Sequence, residues 1–411
     1  MAGMSILVSR LEEFKCDANE AVSMKLVRDQ ADFEDEGQSF HPDMSHQIFG
    51  ESESIFGYKD LQVSLYYSAG RLITYLGIKY SEKVSAQEFD GVIADDIEKQ
   101  IAEQIPPGYM TNSDDFLASL DKEVNFKPFG ELLHSYKVEK EGRDRHFEIY
   151  RADISVPGFR EYHERLQTFL LWYIDAASYI DVDDDRWVFY LIFEKYHSVT
   201  HSQQMYAIAG YMTAYSYYAY PANTRPRMSQ VLVLPPFQRM GHCARLIQTF
   251  YNDVVPRPEV LDVTVEDPSE NFQKVRDFVD AKNCLKLDTF QPESLKEGFT
   301  DSMAKEAQMK LKLNKRQARR VYEILRLKAV DPKNAEEVRG YRLDIKRRLN
   351  KPFEKNGRDL EKLQRVLEEG EYTAAMNAIT GEQKFKILQE QYEQQVEGYR
   401  SILDRLATWH E

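Results

Sequence analysis

The sequence predicts an α/β (α+β) fold: a mixed-sheet core, preceded by a smaller mixed α/β region and followed by a helical one. Three observations carry that reading. Strand and helix patterns alternate between residues 126 and 285, nearly every pattern after residue 286 is helical, and residues 1–125 mix short strands with turns and acidic loops. A chain of 411 residues suits two or three domains, each able to bury a core. The expected domains are therefore 1–125, 126–285 and 286–411.

Taken in order, "LQVSLYYSA" and "LITYLGIKY" read as strands of the first region, which closes near "PPGYMTNSDDF". In the second, "HFEIYRADI" is a strand and "REYHERLQTFLLWYIDAAS" a helix. "WVFYLIFEKY" and "MYAIAGYMTAYSYYAY" are strands, and "PANTRPR" turns the latter into "MSQVLVL". A helix from Gly241, the strand "VLDVTVE" and a helix opened by "DPSENFQKV" follow. Pro268 at a first helical position behind Asp267 is a good N-terminal signal. The third region ends with apolar residues at Phe385, Leu388, Tyr392, Val396, Tyr399, Leu403 and Leu406, a spacing of three or four.

Composition narrows the class. The three cysteines are too few, and odd in number, for a disulfide framework, which points to a reducing compartment. "MAGMSILVSRLEEF" has no basic segment leading into an apolar run, so no signal peptide is expected, and runs such as "FLLWYI" are far too short for a membrane span. The net charge is −14, but it is unevenly spread. Residues 305–365 hold 20 Lys and Arg against 9 Asp and Glu, residues 366–411 hold 4 against 9, and residues 1–304 carry a net −20. An acidic body attracts basic partners and repels nucleic acid; it also serves solubility alone. The basic stretch, densest in "DIKRRLNKPFEK", suits a nucleic-acid patch, a nuclear import signal or a solvated helix face, of which the last is the plainest.

The stretch "SQVLVLPPFQRMGHCARLIQTFY" runs from a buried strand through a loop without acidic residues into an amphipathic helix. It is not a P-loop, because no Lys follows Gly241, and it is not a dinucleotide fingerprint, because it has a single Gly. The physics shared by those motifs remains. A helix N-terminus leaves amides unpaired and favours an anion, and small residues at Gly241, Cys243 and Ala244 let a pyrophosphate approach. This Q/R-x-x-G-x-G/A pattern resembles that of the GNAT N-acetyltransferases. With "FREYHERLQTFLLWYIDAASYIDVDDDRW", "YPANTRPRMSQVLVLPPFQRMGH", "EDPSENFQKVRDFV", "FGYKDLQVSLYY", "IPPGYMTNSDDF" and "NKRQARRVYEILRL", the chain closely resembles the catalytic subunit of type B histone acetyltransferases. One departure stands out: the family favours glycine where this chain has Cys243.

The resemblance implies a GNAT core and acetyl-CoA as cosubstrate. It places main-chain acetyl-CoA contacts at Val231, Leu232 and Val233, then at Gln238, Arg239, Met240, Gly241, His242, Cys243 and Ala244. A lysine ammonium, with a reference pKa of about 10.4, must lose a proton before it attacks a thioester. That chemistry needs a carboxylate base and a donor for the oxyanion; a backbone N–H on the "VLVL" strand suits the second role. Glu266 ends "VLDVTVE", and Asp267 and Asp175 are placed to complete an acidic cluster, in which carboxylates raise one another's pKa. In the family the residue matching Glu266 is the general base, supported by those matching Asp175 and Asp267. Read alone, Asp267 is an N-cap and Asp175 a surface acid.

The family's histone contacts match Glu51, Ser52 and Glu53, and Tyr215, Ser216 and Tyr217. Tyrosines wall a lysine channel by cation–π contact, and Trp187 after "DVDDDR" is a further candidate wall; Tyr206 and Tyr211 read as core. Other chemistries fare poorly. An acyl-Cys243 would lie far from the acetyl carbon, His197 and His201 lack further zinc ligands, and "DVDDDRWVFYLI" lacks the glycine and glutamate of an EF-hand. No metal is expected. The implied activity is transfer of acetyl to N-terminal tail lysines of newly synthesised histone H4. Histone H3 with H4 and a WD-repeat histone chaperone are the implied partners, without membrane or direct nucleic-acid binding, and the implied location is cytoplasm and nucleus. A noncatalytic histone-binding scaffold and an acetyltransferase for another protein remain alternatives.

Overall fold

The computed structural model describes residues 11–87, 89, 91–363 and 381–409. The first ten residues, most of the stretch read above as lacking a signal peptide, lie outside them. Two compact units form, Met1–Tyr217 with Met228–Phe250, and Tyr218–Arg227 with Tyr251–Glu411.

Unit 1 opens with a three-stranded sheet. Strand β1 (Val22–Val27) lies parallel to β2 (Gln62–Ser68), which pairs antiparallel with β3 (Thr74–Lys79). One helical turn, α1 (His46–Phe49), falls between β1 and β2. Val63, Leu65 and Tyr67 are buried on one face of β2, and Tyr66 packs with Tyr75, Phe116 and Leu120 on the other. Coverage of both faces explains why every residue from Leu65 to Ser68 is buried.

The larger sheet begins with β4 (Glu131–Lys140) and β5 (Arg143–Ala152), continues through β6 (Trp187–Ser198) and β7 (Gln203–Ala219), and reaches β8 (Asn223–Val233). These pair in chain order, antiparallel from β4 to β7. "PANTRPR" is thus mostly strand, and the turn is confined to Tyr220–Ala222. Between β6 and β7 the register slips: Ile192 faces Gly210 and Phe193 faces Ile208, which leaves Ala209 as the extra residue of a bulge. The carbonyl of Ala209 accepts a hydrogen bond from Leu234 N at 2.9 Å. A Cβ on Gly210 would lie 2.5 Å from the Leu232 carbonyl oxygen, so β7 and β8 approach this closely only because residue 210 has no side chain.

The helix predicted over "REYHERLQTFLLWYIDAAS" is broken. Helix α2 (Phe159–Leu166) gives way to a 3₁₀ turn at Gln167–Phe169 and one more helical turn ending at Tyr173. The reason is competition for carbonyls. Trp172 O, which a continuing helix would use, accepts from Asp43 N and Met44 N at 3.0 and 3.2 Å, while Ala177 O and Ser178 O accept from the Gln47 and Gln230 side chains. Asp175 therefore lies in the turn directly beyond the helix, which ends at Tyr173.

In unit 2, α3 (His242–Val254) arrives from unit 1, and "VLDVTVE" shrinks to β9 (Thr264–Val265), with single bridges at Val260 and Val263. Helix α4 (Glu270–Cys284) is capped by Ser269, whose Oγ accepts from Phe272 N at 3.2 Å. The cap expected at Asp267 is corrected accordingly: Asp267 has φ 28° and Pro268 precedes the helix. Then follow α5 (Asp301–Leu311), α6 (Lys315–Ala329), α7 (Ala335–Leu363) and α8 (Gly381–Thr408). Of the C-terminal apolar series, Val396 and Tyr399 are buried, with Ile402 beside them, whereas Phe385 is exposed under Lys346.

Candidate active site

The loop that joins β8 to α3 is built by its backbone. Pro235–Phe237 form a 3₁₀ turn, Gln238 Nε2 folds back to donate to Val233 O at 3.0 Å, and Arg239 and Gly241 take φ of 62° and 80°. The second of these is the left-handed region, which a glycine enters without steric cost. Arg245 N donates to Gly241 O at 3.2 Å, so Gly241 caps the helix and the amides of His242, Cys243 and Ala244 form its first turn. First-turn amides have no acceptor within their own helix. His242 contributes its amide alone, because its ring is buried against Phe147 and its Nδ1 meets the Tyr136 hydroxyl at 2.7 Å. Burial, with Arg245 and Arg145 nearby, pushes that imidazole down to about 3, so it stays neutral. Met240 is buried, and Cys243 is half-buried and in no disulfide. On the strand side, Leu234 N donates to Ala209 O at 2.9 Å, directly after Val231, Leu232 and Val233.

A second part of unit 1 converges on the same strand. Gln230, next to Val231, holds Ser178 O at 2.9 Å and so anchors the turn that carries Asp175. Asp175 is exposed, and its Oδ1 lies 3.2 Å from His46 Nε2. The other ring nitrogen of His46 lies 3.6 Å from Glu53 Oε1, which makes the imidazole a bridge between two predicted site acids. Glu53, at φ 47°, also accepts from Ser45 N, His46 N and Asn19 Nδ2 at 2.6, 3.1 and 3.0 Å. Those donors, the Ser45 amide first, hold its carboxyl below the usual range. Glu51 is exposed, and Ser52 Oγ meets Ser54 Oγ at 2.8 Å.

Three aromatic residues named from the sequence lie side by side. Trp187 pairs with Tyr215 across β6 and β7, with ring centroids 4.9 Å apart, and Tyr215 lies 4.6 Å from Tyr217. Asp184 anchors the group: it accepts from the Tyr215 hydroxyl at 2.8 Å and takes Arg186 through both oxygens at 2.8 and 2.6 Å. The Arg186 hydrogen bonds are the main reason its carboxyl lies well below the usual range. Ser216 N donates to Arg186 O at 3.1 Å. Tyr211 is core as expected, whereas Tyr206 is half-buried with Lys127 and Lys195 near its ring. Glu266 and Asp267 belong to unit 2, directly after β9, and both are exposed.

Comparison with known proteins places this arrangement in a family. Residues 14–175 match the family described as histone acetyl transferase HAT1 N-terminus, and residues 276–327 match that described as histone acetyltransferase type B catalytic subunit, C-terminal. The chain is 50% identical over 405 residues to the human histone acetyltransferase type B catalytic subunit, covering 98% of this chain and 96% of that one. The chain belongs to the type B histone acetyltransferase catalytic-subunit family. It is 30% identical to the Cryptococcus neoformans protein of that name, over 97% of this chain and 99% of the relative, and 35% identical to one from Dictyostelium discoideum over 81% and 69%. Among solved structures, it is similar to an aminoglycoside acetyltransferase from a soil metagenome, at 16% identity and a TM-score of 0.23 over 32% of this chain and 84% of the other, too slight a likeness to bear on function.

As a member of the type B acetyltransferase family, the chain is an acetyltransferase, and three of its site neighbours escaped the sequence. His46, Asp184 and Gln230 each position a predicted residue through a contact between segments far apart in the chain. The acidic turn "DVDDDR" was the only local signal of any of them.

Proposed function

We propose that this protein transfers the acetyl group of acetyl-CoA to N-terminal tail lysines of newly synthesised histone H4, before chromatin assembly, by direct attack in a ternary complex. The observation that carries the reading is the 50% identity to the human type B catalytic subunit over nearly the whole chain. Acetyl-CoA supplies the acetyl thioester. Residues fit for its pyrophosphate are the first-turn amides from Gly241 to Ala244, with no acidic side chain between Gln238 and Ala244. Val231, Leu232 and Val233 offer main-chain groups along the strand.

Glu266 takes the proton from the lysine ammonium, and Asp175 and Asp267 hold the cation until it does. Glu51, Ser52 and Glu53, with Trp187, Tyr215, Ser216 and Tyr217, receive the tail; acids and aromatic faces both favour a lysine-rich segment. The same reading brings histone H3 with H4, a WD-repeat histone chaperone as companion subunit, and passage between cytoplasm and nucleus. The net −20 of residues 1–304 supports a basic partner over a nucleic acid there. Incubation with radiolabelled acetyl-CoA and a panel of basic peptides tests it. Label should enter the H4 tail peptide first; label on other peptides with none on the H4 tail would assign another substrate, and none on any would leave a scaffold.

A further inference from the structure

Unit 2 contains a cavity of about 950 Å3 bounded by β9, α4, the first half of α6 and the middle of α7. Nine of its 17 lining residues are Arg or Lys, and one, Asp344, is acidic. Part of that charge is matched within the wall. Arg320 meets Asp277 at 2.5 Å, Arg276 meets Asp280 at 3.4 Å, and Glu323 takes both Arg319 and Arg348 at 2.9 and 2.6 Å. Asp344 also takes Arg319, at 2.8 Å, and Lys315 reaches Asp301 at 2.7 Å. Arg276, Lys315, Arg319, Arg320 and Arg348 are thus paired with Asp277, Asp280, Asp301, Glu323 and Asp344. Arg316, Arg347 and Lys351 are exposed at the rim with no ion pair among the described residues.

Two further features point to an anion. Lys315 and Arg316 occupy the first turn of α6, where the helix dipole is already positive and a cation costs stability unless negative charge is supplied. On the deep wall, Thr264 Oγ1 is buried with no hydrogen-bond partner among the described residues, and Arg276, only 4% exposed, holds Asp280 through its Nε. A concave field of one sign is unfavourable to folding by itself and focuses counter-ions. Guanidinium groups grip phosphate through two parallel hydrogen bonds.

We propose that this cavity is a binding site for a compact, soluble molecule carrying several phosphate groups. The volume is that of a small-molecule site, roughly 300–1,000 Å3. Among the lining residues the apolar ones are Val265, Pro268 and Phe299, which is little surface for a base or a pantetheine arm. Arg276 and Gln317 are buried at its back, beyond the reach of the phosphates of a rigid duplex. The site is independent of the acetyl-transfer reading.

The test uses the full-length protein with inositol hexakisphosphate as probe, at physiological ionic strength, by titration calorimetry and thermal melting. The expected result is saturable binding of one molecule per chain and a raised Tm. The double variant Arg347→Gln/Lys351→Gln changes exposed residues without ion pairs, so its Tm without the probe should match wild type while its affinity falls at least tenfold. Absence of saturable binding, or equal affinity in the variant, would overturn the proposal. Tighter binding of a DNA duplex with the same sensitivity would make the face a nucleic-acid surface and overturn it too. Displacement of the probe by acetyl-CoA would merge the cavity with the cosubstrate site, and inorganic phosphate binding as tightly as the probe would remove the need for several phosphates on one molecule.

Discussion

At the scale of single residues, the proton and the anion are handled by different groups, and substitutions should separate them. Glu266→Gln should lower kcat on the order of 10²–10⁴-fold while acetyl-CoA affinity is nearly kept; near wild-type turnover would transfer the role to Asp175 or Asp267. Gly241→Ala forces a Cβ into the left-handed region at φ 80°, a strain of roughly 1–2 kcal/mol. It should raise the acetyl-CoA KM severalfold with a smaller change in kcat at saturation. Cys243→Gly should leave turnover intact and acetyl-CoA binding equal or tighter, and a dead variant would revive an acyl-cysteine mechanism. Gly241 and Cys243 were legible because one local pattern, strand to loop to helix with a single glycine, contains them both. His46 was not legible, since its bridge between Asp175 and Glu53 joins segments remote in sequence.

At the scale of elements, α2 shows how packing fixes a titration. His163 on that helix has no exposed surface, both ring nitrogens lack hydrogen-bond partners, and the Phe189 ring lies 4.6 Å away. Burial pushes its imidazole down to about 4, and that of His242 on α3 to about 3. Both stay neutral in the fold, whereas the unfolded chain protonates near pH 6.5. Their contribution is therefore fully present above about pH 6.5 and is lost as pH falls toward 4 and 3. Near pH 5 the loss is about 2 kcal/mol for each group. Melting at neutral pH and near pH 5 should show the drop, and His163→Phe should shrink it; an unchanged drop would place the acid sensitivity elsewhere. The amphipathic pattern announced a helix here. It carried no sign of the end at Tyr173, because Asp43, Met44 and Gln47 capture the carbonyls of Trp172 and Ala177 from a distant part of the chain.

At the scale of the whole molecule, charge should govern the protein substrate more than the cofactor. Histone-peptide KM should rise with salt, because screening shortens the reach of exposed charges to about 8 Å at physiological ionic strength. The acetyl-CoA KM should change less, since local amides hold its pyrophosphate. Glu51→Gln is the clean probe: Glu53 also ties down Ser45, His46 and Asn19, so its loss would loosen the turn as well as remove a charge. Initial rates across a salt series should show a flatter slope for the Glu51 variant, and equal slopes would mean that this acid does not meet the tail. Composition announced the acidic body and the basic helical stretch. That part of the basic stretch lines a cavity depends on the packing of three helices, which no local pattern specifies.

The chain passes between the two units at residues 217/218, 227/228 and 250/251. The hairpin tip Tyr218–Arg227 therefore interrupts unit 1 in sequence but has backbone partners in unit 2, where Thr224 N donates to Glu259 O and Leu261 N to Thr224 O, at 2.8 and 2.9 Å. No single scission divides this polypeptide into its two halves. An N-terminal piece ending at Phe250 would keep the tip without those partners, and the complementary piece would lack a ten-residue part of itself. Gene fission, or exchange of one half with a relative, would therefore cut through a unit and not between units.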